Sequence, residues 1–112
     1  MNNRDKICLE YILEHYQELI IAKGNIKFEA FCQNKILQKA ILFDIAQISE
    51  NINKLSDSTI EKINTNDIKG ITGLRNHIIH GYGKLNEVIV WNAINIDLPN
   101  LVNQVKQILN DK

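Results

Sequence analysis

The sequence predicts an all-α fold, an antiparallel up-and-down helical bundle, and three observations carry this prediction. Apolar residues recur at three- and four-residue steps in several long segments. Glycines and residues that cap helix N-termini separate these segments. Only Glu87–Trp91 has β-branched character, and its pattern does not alternate convincingly. Without an internal repeat or a low-complexity linker, the chain is predicted to form one domain over residues 1–112.

The first long segment runs from Arg4 to Lys23 and predicts an amphipathic helix that Gly24 ends. Three glutamates form a separate stripe along it, which we interpret as a solvated face. His15 lies in the polar part of this helix, and we expect it to be a surface residue without a role. The apolar stripe consists of Leu9, Ile12, Leu13, Tyr16, Leu19 and Ile20.

A second long helix is predicted from Leu37 to Leu55, antiparallel to the first, after a short helical segment over residues 26–34. Ser56–Thr59 reads as a turn rich in N-cap residues, followed by a brief helical turn at Ile60–Ile63. Residues 64–67 are expected to form a loop.

The last part of the chain predicts three more helical segments. One runs from about residue 68 through residue 78 until Gly81 and Gly83 interrupt it. Asn86 can cap a short helix that follows. Residues 97–99 then open a final helix, in which the proline occupies the first turn.

Charge and composition limit the possible functions. The chain has 13 lysines and arginines and 13 acidic residues, so no bulk positive field gathers nucleic acid, and any contact with RNA would be local. Cys8 and Cys32 lie far apart without a CxxC unit, which predicts buried thiols in a reducing compartment. No apolar run approaches the roughly 20 residues of a membrane span, and the first residues lack the apolar region of a signal peptide. We therefore predict a cytoplasmic protein without a membrane partner.

Residues 73–82 concentrate the side chains that could carry chemistry. Asn76 and His80 are four residues apart and share a helix face, so Asn76 could orient the His80 ring. Arg75 is five residues from His80, about 140° around the axis. A shared site therefore needs either local unwinding near Gly81 or a second copy of the helix, and the second solution implies a two-fold homodimer.

Each of these residues has a functional and a structural interpretation. His80 suits general acid–base catalysis, and Arg75 suits stabilisation of charge in a phosphoryl transition state. Tyr82, just past the helix, could bind phosphate or be modified. Alternatively, Arg75 caps helix carbonyls or forms a salt bridge, His80 is an ordinary helix-end histidine, and Tyr82 packs. His77 and His80 have metal-ligand spacing, but no third ligand is nearby, so we predict no metal and no cofactor.

Arg75, four residues, His80, one residue and Tyr82 together resemble the Arg-x4-His-x-Tyr motif of HepT-like HEPN proteins. Residues 73–76 are similar to the glycine-leucine-arginine-asparagine lead-in of that family. Trp91 and residues 98–101 are similar to its later tryptophan and its leucine-proline-x-leucine sequence. The resemblance covers residues 68–109, whereas the first half matches mainly by helical pattern.

Three positions depart from the family pattern. Asn86 stands where an aspartate is usual, although it can still cap a helix. Gly83 replaces an aromatic residue, which we expect to loosen the loop that holds Tyr82. Ser49 replaces a glycine of the second long helix, a small change for helix packing.

The resemblance implies a dimeric HEPN-like bundle that cleaves RNA without metal, with Arg75 and His80 of both chains lining the dimer cleft. It also implies a toxin–antitoxin system, in which a minimal nucleotidyltransferase antitoxin uses ATP to attach AMP to Tyr82 and so silences the toxin. A competing hypothesis is a non-catalytic module that docks a minimal nucleotidyltransferase or a nucleotide ligand through the same cleft.

Overall fold

The computed structural model describes the backbone of residues 1–80 and 86–110, and the side chains of these ranges apart from those of residues 75–80. This part of the chain is all-helical, as predicted, and contains no strand. The helices are α1 (Asn3–Lys23), α2 (Phe28–Gln33), α3 (Lys35–Asn53), α4 (Asp57–Ile60), α5 (Thr65–His80), α6 (Glu87–Asn92) and α7 (Leu98–Asn110), and a π-helical turn (Ala93–Asp97) joins the last two.

The two long helices α1 and α3 form the antiparallel pair that the sequence predicts. Near the start of α1, the Asp5 carboxylate accepts a hydrogen bond from the backbone N–H of Ser56, just past the end of α3. Near the middle of the pair, His15 Nδ1 lies 3.1 Å from Asp44 Oδ1. The apolar stripes of the two helices face each other, because residues such as Ile12 and Ile45 are fully buried between them.

Helix α5 runs antiparallel to the segment formed by the π-helical turn and α7. At its start, the backbone N–H of Asn64 donates to Gln104 Oε1 at 2.6 Å. One and a half turns later, Gly70 lies directly against the carboxylate of Asp97. This register places the last turn of α5 level with α6, at the end of the bundle where α1 ends and α3 begins.

The C-terminal helices correct one sequence-based expectation. The sequence predicts a break before residue 97, but α6, the π-helical turn and α7 follow one another without interruption. A wider turn directly before Pro99 is a physical reason for this, because a proline ring clashes with the carbonyl four residues earlier in a regular α-helix. The β-branched residues of α6 are helical, and Asn86 caps α6 as predicted, accepting from the N–H of Ile89 at 3.2 Å.

Two shorter predictions are also wrong in their boundaries. The helical turn expected at Ile60–Ile63 is instead α4, which begins at Asp57, directly after Ser56. The loop expected at residues 64–67 is already helical from Thr65, because the Asn64 side chain accepts a hydrogen bond from the N–H of Asn66 at 2.8 Å. The sequence predicts capping residues in Ser56–Thr59 but places the helix after them, and it predicts no cap at Asn64.

The cysteines and the apolar segments agree largely with the sequence. Cys8 is buried in the core, whereas Cys32 is only half-buried, and both thiols are free. None of the helices in the described residues combines the length and the apolar character of a membrane span.

Candidate functional site

Three of the four predicted site residues belong to the last two turns of α5. Arg75, Asn76 and His80 all lie within one regular α-helix that continues through His80. Asn76 and His80 are one turn apart along that helix and therefore occupy the same face. Their side chains lie outside the described residues, as does the whole of Tyr82. The roles assigned to these residues accordingly stay predictions.

The regular backbone of α5 limits how Arg75 and His80 can act together. The helix is not unwound between them, so their positions remain about 140° apart around its axis. Of the two solutions proposed from the sequence, local unwinding would have to begin beyond His80. The other solution, a second copy of the helix that faces the first, requires no unwinding of α5.

Two glycines of α5 differ in what surrounds them. At Gly70 an added Cβ would lie 2.7 Å from Asp97 Oδ2, so this glycine permits the close approach of α5 to the π-helical turn. At Gly73 an added Cβ would meet nothing within 4 Å among the described residues. Gly73 is exposed and lies seven residues before His80, on the same helix face. At the level of Gly73, two turns before the predicted catalytic histidine, this face therefore carries no side chain of the helix itself.

An aromatic cluster lies at the same end of the bundle. The Trp91 ring contacts Phe28, with ring centroids 5.7 Å apart, and Phe31, with centroids 5.2 Å apart. The ammonium of Lys23, at the end of α1, lies 5.2 Å from the Trp91 centroid, a cation–π geometry. The tryptophan of α6 thus ties together α1, α2 and the segment that follows the motif.

A second polar cluster, which the sequence analysis did not identify, lies between α1 and α3. His15 was expected to be a surface residue, but only 19% of its side chain is exposed, and its Nδ1 lies 3.1 Å from Asp44 Oδ1 and 3.5 Å from Glu18 Oε2. The prediction is wrong because α3 supplies a carboxylate 29 residues away. Asp44 itself carried a usable signal, since it interrupts the buried apolar stripe of α3 between Ile41 and Ile48.

The electrostatics of this cluster follow from burial. Burial raises the pKa of Asp44, the nearby Glu18 raises it further, and the hydrogen bond from His15 opposes both. One ligand atom from each of the three residues lies within 4.8 Å of the others, so the group could hold a metal ion. The cluster is equally explained without an ion, because the His15 imidazole is hydrogen-bonded to Asp44 and lies beside the Glu18 carboxylate.

The all-helical bundle of the described residues is that of an HEPN-like protein. The chain belongs to the Ribonuclease HepT-like family, whose model matches residues 12–108. The chain is 35% identical over 101 residues to "Putative RNase TTE0752" of Caldanaerobacter subterraneus subsp. tengcongensis, with 90% of each chain covered. It is 29% identical to "Putative RNase MJ0127" of Methanocaldococcus jannaschii, covering 89% of this chain and 83% of the relative. No solved structure matches the chain.

Proposed function

We propose that this protein is an endoribonuclease that cleaves RNA without a metal ion, at a composite site formed by two copies of the chain. The observation that carries this proposal is the Arg-x4-His-x-Tyr sequence motif, whose arginine and histidine lie on the last two turns of α5, in a chain of the Ribonuclease HepT-like family. The relatives named above are described as RNases, which supports the same class of reaction.

In the proposed reaction, one His80 accepts the proton of the RNA 2′-hydroxyl. The 2′-oxygen attacks the adjacent phosphorus, and the bond from phosphorus to the 5′-oxygen breaks. His80 of the second copy donates a proton to that leaving oxygen, so the products are a 2′,3′-cyclic phosphate and a free 5′-hydroxyl. Arg75 stabilises the negative charge that develops on the phosphoryl oxygens.

The need for two copies follows from the helix geometry and from the chemistry. One α5 offers a single histidine in the motif position, whereas the reaction needs a base and an acid at the same time. A two-fold axis beside α5 brings two His80 residues together and allows Arg75 of one copy to approach His80 of the other. Gly73, two turns before His80 on the same face, adds no side chain that would obstruct such an approach.

The same proposal includes regulation at Tyr82. Family resemblance supports a toxin–antitoxin system in the cytoplasm, in which a minimal nucleotidyltransferase transfers AMP from ATP to the Tyr82 hydroxyl and releases pyrophosphate. Tyr82 follows His80 by two residues, so an added AMP would place a phosphate and a nucleoside beside the motif histidine. Blocked access for RNA is the expected consequence.

The test is cleavage of a labelled single-stranded RNA by the purified chain in the presence of EDTA. We expect cleavage with 2′,3′-cyclic phosphate ends, and loss of at least about a hundredfold in rate for His80→Ala. His77→Ala is the matched control, because it removes a neighbouring histidine of the same helix. Rates that remain equal for His80→Ala and the wild type would refute the mechanism. Absence of cleavage by the wild-type chain would refute the activity and favour a module that binds a nucleotidyltransferase or a nucleotide ligand.

A further inference from the structure

Although the chain is neutral as a whole, its charges are unevenly distributed along the bundle. Residues 20–39 and 73–92 form the end that contains the last turn of α5, and their described residues include five lysines and arginines but only two acidic residues. The rest of the described chain contains six basic and ten acidic residues. A polyanion is therefore attracted to one end of the molecule, even though the net charge is zero.

The basic residues of this end are concentrated in the connection between α1 and α3. Lys23 ends α1, Lys27 directly precedes α2, and Lys35 begins α3. Lys27 and Lys35 are exposed, and Lys23 is half-buried. Three ammonium groups thus lie within 13 residues of chain, on a segment that folds back on itself through the short helix α2.

Lys23 is held in place, unlike an ordinary surface lysine. Its ammonium lies over the Trp91 ring, and Phe28 and Phe31 hold that ring from α2. A lysine fixed in this way loses less side-chain entropy when it binds an anion than a freely moving one. The Trp91 contact also fixes the position of the α1–α3 connection relative to α6.

The two acidic residues at this end, Glu29 and Glu87, lie close to the same residue, Cys32. Glu29 and Glu87 are both close enough to Cys32 to raise the pKa of its thiol, in addition to the larger effect of burial. They therefore gather beside α2 near Cys32. Among the described residues, neither glutamate forms a salt bridge with Lys23, Lys27 or Lys35.

The register of the helices brings this basic segment to the level of the motif. Gly70 lies against Asp97, and α5 runs antiparallel to the following helices, so the turn that ends at His80 is level with α6 and Trp91. The cations on the α1–α3 connection and the predicted catalytic residues of α5 therefore share one end of the bundle.

We propose that Lys23, Lys27 and Lys35 form a binding surface for the phosphates of single-stranded RNA, which holds the strand beside the end of α5. This inference rests on the proposed ribonuclease function and adds the substrate-binding surface to it. The surface binds the backbone without reading bases, because lysine ammonium groups contact phosphates as point charges. Affinity at this surface falls as salt rises, since phosphate binding releases counterions.

The test compares two triple variants that remove the same number of charges. Lys23→Gln/Lys27→Gln/Lys35→Gln neutralises the proposed surface, and Lys54→Gln/Lys62→Gln/Lys69→Gln neutralises three exposed lysines towards the other end of the bundle. Binding is measured by fluorescence anisotropy with a 2′-O-methyl RNA oligonucleotide, which has no free 2′-hydroxyl and cannot be cleaved. Salt is varied from about 50 to 200 mM.

In Lys23→Gln/Lys27→Gln/Lys35→Gln we expect the slope of log affinity against log salt to become shallower by about 2. Each of the three lost phosphate contacts to single-stranded RNA contributes about 0.7 to that slope. Between these salt concentrations the wild type would then lose roughly sixteen-fold more affinity than the variant. The control triple should keep the wild-type slope. The proposal would be overturned if the first triple variant kept the wild-type slope, or if both triple variants lost the same affinity. It would also be overturned if the wild type did not bind RNA.

A dinucleotide substrate separates this inference from the proposed function. Its single phosphodiester is the bond that is cleaved, so no further phosphate is left to bind the lysines. The first triple variant should therefore cleave it at the wild-type rate while cleaving long RNA more slowly at the same concentration. Binding of the uncleavable RNA without cleavage of any substrate would refute the nuclease and leave the binding surface standing. Loss of dinucleotide cleavage in the triple variant would refute a role confined to binding.

Discussion

Asp5 should be one of the residues on which the stability of the bundle depends most. It is 1% exposed, and its carboxylate accepts three hydrogen bonds from residues more than 50 positions away. The donors are the backbone N–H of Ser56 at 3.0 Å, the hydroxyl of Ser56 at 2.5 Å and the hydroxyl of Thr59 at 2.6 Å. The start of α1 is thereby fixed to the segment that begins α4.

The expected cost of Asp5→Ala follows from these contacts. A hydrogen bond to a charged group contributes about 1.5–3 kcal/mol, so three of them set an upper limit well above the net effect. Part of the loss is recovered, because the Ser56 hydroxyl already lies 3.2 Å from the Ser58 hydroxyl and can bond there. We therefore expect a loss of about 3 kcal/mol in the free energy of unfolding and a fall of roughly 10–20 °C in Tm.

The pH dependence provides a second readout of the same contacts. Hydrogen bonds from Ser56 and Thr59 lower the pKa of Asp5 in the folded chain. A lowered pKa contributes stability that is complete above the usual value of about 3.9 and is lost as the pH falls through the folded value. The difference in stability between the wild type and Asp5→Asn should therefore be largest near neutral pH and shrink in acid.

Urea denaturation followed by circular dichroism, from pH 2 to pH 7, measures both effects. Glu10→Ala, an exposed acidic position of the same helix, is the control and should change stability by less than about 0.5 kcal/mol. A loss below about 1 kcal/mol for Asp5→Ala would show that these hydrogen bonds do not stabilise the bundle as expected. The same would follow if the free energy of unfolding of Asp5→Asn fell in acid as steeply as that of the wild type.

Three further variants test the packing of α5 and the polar cluster, each by urea denaturation. Gly73→Ala should raise stability by up to about 1 kcal/mol, because the added methyl meets nothing within 4 Å in the described chain and alanine favours the helix; a loss would contradict the open surface. Gly70→Ala should lower stability by about 1 kcal/mol, because its Cβ would lie 2.7 Å from the Asp97 carboxylate; an unchanged value would contradict that close approach. The raised pKa of Asp44 means that its contribution to stability is present below its usual pKa and lost as the pH rises through the folded value. Asp44→Asn, which can still accept from His15, should remove this loss, and an unchanged pH profile would contradict the assignment.

Much of the fold was predictable because its helices are strongly amphipathic. The apolar steps of α1 and α3 predict both helices and their pairing. The contacts of Asp5 with Ser56 and of His15 with Asp44 confirm that the pair is antiparallel. The continuous path through the π-helical turn was not predictable, because a proline at position 99 is equally typical of the first turn of a new helix. A proline therefore marks where a helix begins but does not show whether the residues before it are also helical.

The candidate site was predictable in its residue types but not in its assembly. Spacing alone places Asn76 and His80 on one face of α5, and the regular helix agrees with this. The polar cluster of His15 and Asp44 was missed, because its partners lie 29 residues apart and meet only through tertiary packing. Whether Arg75 approaches a histidine depends on a second chain, which no spacing within one sequence can specify.

The proposed cleavage depends most directly on two copies of His80 acting in one site. Mixed dimers test this, if differently tagged wild-type and His80→Ala chains are refolded together in equal amounts and assayed for RNA cleavage. When each site needs both histidines, only the fully wild-type dimers cleave, and activity falls to about one quarter of that of the same total amount of wild type. When each chain acts alone, activity falls only to about one half. The first result is the one we predict, and the second would contradict the composite site.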